Sequence, residues 1–330
     1  NLNGSSANDN FVFTGSGNIS GTISGNGGID TLDYSGYGSG VIVNLSTGTL
    51  TGASSVNTVE NLIGSLLADS LTGDSHANEI SGLAGDDTLT GLGGDDIYWF
   101  ADGFGVDTVV EATLGGTDSM DFTAVSNPMT FTLGSITAVY GLNSATHSLS
   151  NIEVLNGSAA DDQFIFGDGI NFPGSLNGSG GANSLDYSNY TTSVAVNLNS
   201  NTATGTTGVF NFIHLIGGQS DDNLTGDNQN NQITGGPGKD ALTGLSGDDS
   251  YYFADGFGTD TIYEAAAGGD DTLDFSAFNT DLTFTFGLTT VTVSDDADAS
   301  NIVSHTGIHI ENFLGGNNVV ATDTFKLLDG

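Results

Sequence analysis

Two blocks of four nine-residue units, Gly64–Trp99 and Gly217–Tyr252, follow one pattern: Gly first, Asp or Asn sixth, an apolar residue eighth. In the first block the sixth positions are Asp69, Asn78, Asp87 and Asp96, and the eighth are Leu71, Ile80, Leu89 and Tyr98. The second block repeats the order with Asp222, Asn231, Asp240 and Asp249, and with Leu224, Ile233, Leu242 and Tyr251. Glycine-rich composition alone does not make two distant blocks agree in register, residue type and order.

Each position has a physical reading. Glycines admit positive φ for turns, and the short apolar-centred stretch makes a small strand. Two units then form one coil. Asp residues 18 apart, such as Asp69 with Asp87 or Asp222 with Asp240, fall on one edge of successive coils, about 4.8 Å apart along the axis. Bare carboxylates at that spacing repel. A hard divalent cation between coils removes the repulsion, and calcium accepts carboxylate and carbonyl oxygens more readily than magnesium, which demands tighter octahedral geometry. Turn formation is the plainer use of Asp and Asn, yet it does not require charge at 18-residue spacing.

Segments such as GLAGDDTLTGLGGDDIY and GGPGKDALTGLSGDDSY resemble the glycine-rich nonapeptides of RTX proteins, a calcium-binding parallel β-helix repeat. The resemblance implies that Asp69, Asp87, Asp96, Asp222, Asp240 and Asp249 ligate Ca2+. It also implies carbonyl ligands from turns containing Gly82, Gly85, Gly91, Gly94, Gly235, Gly238, Gly244 and Gly247. Asn78 and Asn231 depart from the Asp pattern and offer only a neutral oxygen, so weaker sites or none are expected there.

Charge agrees with a need for cations: 40 acidic residues face 2 basic ones, a formal net charge of -38. Nucleic acid and anionic membrane surfaces are poor partners, since both require a basic patch. A hydrophobic content of 37% with many short β-branched and aromatic runs argues for a packed interior rather than disorder. With no cysteine, stabilisation by disulfides or thiolate metal sites is excluded, and extracellular calcium is the expected substitute. The sequence contains no apolar stretch of about 20 residues to span a membrane, and its N-terminus does not read as a signal peptide.

The whole chain repeats. GDDIYWFADGFGVDTVVEA at 94–112 matches GDDSYYFADGFGTDTIYEA at 247–265, an offset of 153. Asp9-Asn10-Phe11-Val12-Phe13 returns as Asp162-Gln163-Phe164-Ile165-Phe166, and a third time as Asp323-Thr324-Phe325-Lys326-Leu327. Residues 1–156 read as a first solenoid repeat, 157–314 as a second and 315–330 as the start of a third, a window on a longer array.

Between the blocks, period-2 alternation at Val41, Val43 and Leu45, at Val194, Val196 and Leu198, at 130–133 and at 283–286 predicts strands. No helical periodicity stands out. The expected fold is all-β: one continuous right-handed parallel β-solenoid of β-roll or β-helix type, with calcium in the turns and inward Leu, Ile, Val and Phe stacked between coils. At roughly 18–22 residues and about 4.8 Å per coil it would extend on the order of 80 Å.

Looser copies of the pattern add candidates at Asp9, Asp30, Asp107 and Asp118, with Asp162, Asn183, Asp260 and Asp271 in the second period. Asp107 and Asp260 are the best of these, each following an Asp-Gly-Phe-Gly turn. At the rest, capping of a turn explains the residue as well as metal binding does. No Gly-x-Ser-x-Gly, His-Glu-x-x-His or P-loop motif is present, so no enzyme is expected. His305 and His309 are four apart, but scattered histidine on an acidic surface is the simpler explanation. Core stacking likewise explains Tyr98, Trp99 and Phe100 better than a sugar platform does. The sequence thus points to a calcium-stabilised extracellular structural or adhesive rod able to associate with itself into fibres, and the RTX resemblance implies secretion by a bacterial type I route. The alternatives are a glycan-binding adhesin module and the non-catalytic secretion region of an exoenzyme.

Overall fold

The computed structural model describes residues 1–112, 115–148, 151–264, 268–278, 280–287, 289–306 and 310–315, and the backbone of 324–327. His309, Asp323 and most of the expected third repeat lie outside the described residues. Two compact units are present, one of Asn1–Asp162 with Phe172–Gly181, the other of Gln163–Asn171 with Ala182–Gly330. Among the described residues all regular structure is β-strand.

In the first unit successive nonapeptides alternate between two parallel sheets. Ser70–Thr72 and Thr88–Thr90 pair in one, while Glu79–Ser81 and Ile97–Ala101 pair in the other. Two units therefore make one coil, as the spacing predicts. The register sets Leu71 opposite Leu89 and Ile80 opposite Tyr98. Past the block it continues, with Leu89 opposite Val109 and Tyr98 opposite Met120, which in turn stands opposite Leu155. The second unit repeats this with Leu224 opposite Leu242 and Ile233 opposite Tyr251.

All eight eighth-position side chains are fully buried, from Leu71 to Tyr251. Each contributes on the order of 1.5–3 kcal/mol by burial, so the strands, only three residues long in most units, are held mainly by this interior rather than by their few backbone bonds. Rings extend the stack beyond the blocks. Phe13 lies flat on Tyr34 at 4.6 Å and Phe100 on Phe122 at 4.4 Å. Their counterparts Phe166 on Tyr187 and Phe253 on Phe275 sit at 4.4 Å and 4.7 Å. Val41 and Val43 are buried while Ile42 between them is 66% exposed, which is the expected alternation.

The segments between blocks differ from a purely parallel winding. Thr130–Leu133, Ile136–Tyr140 and Asn143–His147 form an antiparallel meander, and Leu282–Phe286, Thr290–Asp295 and Ile302–Thr306 form another. Ile42–Asn44 and Ala195–Asn197 each fold back on a short antiparallel partner. The cause is local: Gly134-Ser135 separates two alternating runs, and Gly134 and Gly141 take φ of 131° and 56°. A two-residue glycine loop reverses the chain instead of carrying it round a coil. The last strand of each meander then rejoins the parallel stack, Asn143–His147 beside Val106–Val110 and Ile302–Thr306 beside Thr259–Tyr263.

Candidate metal centre

The glycines of the blocks divide by role. Left-handed backbone occurs at fourth positions, in Gly85, Gly94, Gly238 and Gly247, and at second positions, in Leu83, Leu92, Gly236 and Leu245. The first-position glycines do not adopt it, which corrects the expectation that these too serve by positive φ. They provide space. A Cβ at Gly64, Gly82, Gly91, Gly217, Gly235 or Gly244 would collide with Oδ2 of the Asp five residues later, and at Gly73 or Gly226 with Oδ1 of the Asn. First-position Gly and sixth-position Asp are thus two halves of one packing unit.

The sixth-position side chains form coil-to-coil ladders. The N–H of Asp69 donates to Asp87 Oδ1 (2.8 Å) and that of Asp87 to Asp107 Oδ1 (2.9 Å). In the second row, Asn78 donates to Asp96 Oδ1 (2.7 Å), Asp96 to Asp118 Oδ1 (2.9 Å) and Asp118 to Glu153 Oε2 (2.9 Å). The second unit has the same two rows. Asp222 donates to Asp240 (2.8 Å) and Asp240 to Asp260 (3.0 Å), while Asn231 donates to Asp249 (2.7 Å), Asp249 to Asp271 (2.9 Å) and Asp271 to Glu311 (2.9 Å). All the ladder Asp and Asn residues just named are buried.

Asp69 and Asp222, which begin their rows, have both oxygens occupied, Oδ1 by the N–H of Val41 and Val194 (2.7 Å) and Oδ2 by that of Ser65 and Gly218 (2.5 Å), whereas further along the rows a second oxygen is left over. Oδ2 of Asp30, Asp87, Asp96, Asp240, Asp249, Asp260 and Asp271 is buried without a hydrogen-bond partner. A charged oxygen left so costs far more than a neutral one unless a cation or a proton meets it. Main-chain oxygens converge on the same spaces: a Cβ at Gly64 would meet Gly82 O at 2.7 Å, at Gly73 Gly91 O at 2.8 Å, and at Gly226 Gly244 O at 2.9 Å. Gly235 O borders Gly217 and Asp222 Oδ2 similarly. Hard carboxylate and carbonyl oxygens around a glycine-lined gap suit calcium. The carbonyls of Gly85 and Gly238 each already accept a coil-to-coil bond, from Val106 (3.1 Å) and Thr259 (2.8 Å), so each offers one remaining lone pair.

Burial raises the pKa values of these rows. Without metal, desolvation pushes Asp87 to about 6, Asp96, Asp240 and Asp249 to about 7, and Asp107 and Asp260 to about 8, with neighbouring carboxylates adding to the rise. Asp69 and Asp222 are raised by burial as well. These carboxylates therefore take up a proton or a cation more readily than exposed ones do.

Asn78 and Asn231 occupy the same ladders, but their amides donate to the carbonyls of Glu60 and Ile213 and bring no charge. Asp107 and Asp260 join the rows after the Asp-Gly-Phe-Gly turns. Among the looser candidates Asp30, Asp118, Asp162, Asn183 and Asp271 are buried, whereas Asp9 is only half-buried. Fifth-position Asp86 and Asp95 point outward, and Asp95 accepts from the Thr117 N–H at 2.8 Å.

Glu111 and Glu264 escaped the sequence reading. Glu111 lies with Asp96 and Asp118, and Glu264 with Asp249 and Asp271, each trio placing ligand-capable oxygens within 4.8 Å of one another. The buried Tyr98 and Tyr251 hydroxyls donate to Glu111 Oε1 and Glu264 Oε1. The available signal was the recurrence of this glutamate in both copies of the post-block segment. His147 and His305 are buried at equivalent strand ends, each with Nδ1 3.1 Å from a backbone oxygen, of Val109 and Ile262. His147 Nε2 lies 2.8 Å from Asn151 Oδ1, and both histidines belong to the core rather than to an acidic surface.

Short parallel strands wound two nonapeptides to the coil, with glycine-lined rows of buried carboxylates, define a calcium-binding β-roll. Residues 68–106 and 216–251 match the family of the RTX calcium-binding nonapeptide repeat (4 copies). The two blocks are therefore an RTX-type repeat region, and calcium is their ion. No curated protein matches the chain.

Proposed function

We propose that this chain is a calcium-stabilised structural or adhesive element of a long repetitive secreted or surface protein. The observation that carries the reading is the row of buried Asp Oδ2 atoms without partners, which makes the packed state depend on an external cation. RTX repeats are typical of secreted bacterial proteins, and among the described residues no helix is long and apolar enough to cross a membrane. Low cytosolic calcium keeps the chain unfolded for export by a type I route, and extracellular calcium folds it, because binding free energy becomes folding free energy. The repeats are calcium-binding and non-catalytic, and we assign no reaction to the chain. Self-association into fibres and recognition of cell-surface glycans are the adhesive modes open to it.

The test is a calcium titration of the chelated protein by far-UV circular dichroism, with magnesium as control. A cooperative gain of β signal with calcium alone supports the proposal. A chain already fully folded and indifferent to calcium overturns it. Electron microscopy and glycan binding at saturating calcium then separate the adhesive modes.

A further inference from the structure

We propose that Asp96, Glu111 and Asp118, and likewise Asp249, Glu264 and Asp271, form tri-carboxylate calcium sites that fasten the end of each nonapeptide block to the coil following it. Glu111, Asp118, Glu264 and Asp271 lie beyond the matched repeat residues, so these sites differ in composition from those of the blocks.

Three different segments contribute to each trio. Asp96 belongs to the last nonapeptide, Glu111 follows the strand Val106–Val110, and Asp118 precedes the strand Ser119–Ala124. In the first unit all three are at most 3% exposed. Asp96 Oδ2 has no hydrogen-bond partner, and in the second unit neither Asp249 Oδ2 nor Asp271 Oδ2 has one. The space these atoms face is kept open by glycine. A Cβ at Gly91 would strike both Asp96 Oδ2 and Glu111 Oε1, and at Gly244 both Asp249 Oδ2 and Glu264 Oε1. At Gly115 a Cβ would lie 3.1 Å from Glu111 Oε2 and 3.2 Å from Asp118 Oδ2.

Three carboxylates so close, at least two of them buried in each unit, cannot all stay ionised without a counter-charge. With 2 basic residues in the whole chain, compensation has to come from solution. An all-oxygen donor set without imidazole or thiolate selects a hard cation over zinc or copper. Tyr98 and Tyr251 hold one glutamate oxygen in place by their hydroxyls, which orients the ligand and sets a phenol beside the ion. Calcium here ties strands on both sides of a block boundary, so block and following coil fold as one cooperative piece.

The double variant Glu111→Gln/Glu264→Gln tests this, since the amide keeps shape and an acceptor for each tyrosine. Calorimetric calcium titration should show two fewer ions per chain, with calcium-induced β signal from the blocks retained. An unchanged stoichiometry and affinity overturns the proposal while leaving the calcium-dependent roll intact. Failure of the unmodified chain to respond to calcium sinks the roll itself. Should the double variant not fold, terbium with the unmodified chain decides. Tyrosine-sensitised emission that calcium displaces, and that falls severalfold in Tyr98→Phe/Tyr251→Phe, supports the sites; emission unchanged by that substitution rejects them.

Discussion

The main-chain N–H of Asp69 donates to the side-chain Oδ1 of Asp87, 18 residues further along the chain, at 2.8 Å. The carboxylate thus replaces a backbone acceptor at the turn, where the strand pairing of neighbouring coils gives way. Its second oxygen is left to a cation. One side chain closes the coil stack and creates its metal dependence.

Separating those two duties is feasible at Asp87. Asp87→Ala removes both and should destabilise the protein by about 1–3 kcal/mol without metal, because the buried Asp69 N–H loses its acceptor, and should weaken calcium binding as well. Asp87→Asn keeps Oδ1 and relieves charge, so it should be at least as stable as wild type in chelator and less stable in calcium. Urea unfolding in both conditions reads the crossover, and parallel shifts for the two variants would refute the division.

The metal-free fold should weaken as pH rises. Asp87, Asp96, Asp107, Asp240, Asp249 and Asp260 have folded values raised by burial to between about 6 and about 8, against about 3.9 when unfolded. Folded chains hold protons that unfolded chains release, so this contribution is complete below the unfolded value and is lost as pH climbs through the folded values. Calcium competes with the same protons, so its affinity should fall with decreasing pH over that window. Urea midpoints in chelator at about pH 5 and about pH 8 check the sign; a midpoint that increases with pH would contradict it.

Gly82→Ala should be far more damaging than its small size suggests. The new Cβ meets Asp87 Oδ2, so the carboxylate must move from the ladder and the ion site together, at a cost of about 1–3 kcal/mol and with loss of calcium affinity. Gly103→Ala is the control, having φ of 81° but open space around it, and should cost about 1 kcal/mol of strain with calcium affinity kept. Equal calcium affinities for the two variants would show that the first-position glycines do not shape the site.

Leu89→Ala should cost about 2–5 kcal/mol, because the side chain is fully buried between Leu71 and Val109 in the strand stack. Ile42→Ala, at a residue 66% exposed, should change stability by about 0.5 kcal/mol or less. Thermal or urea unfolding in saturating calcium compares them.

Sequence by itself determined the coil. The period of the nonapeptides fixes two units per turn, their apolar eighth residues fix the interior, and Asp at 18-residue spacing fixes the stacked carboxylates, because all three follow from chain-local geometry. The reversal at Gly134-Ser135 was also written locally, but the longer-range expectation of continuous winding overrode it. Tertiary structure alone decided that Asp87, Asp96, Asp240 and Asp249 keep one oxygen left over while Asp69 and Asp222 have both occupied. It alone showed that first-position glycines act by making room, and that Glu111 meets Asp96 and Asp118. Those outcomes depend on which atoms neighbouring coils bring together, and the spacing of a residue type along the chain does not say which of its atoms meets which.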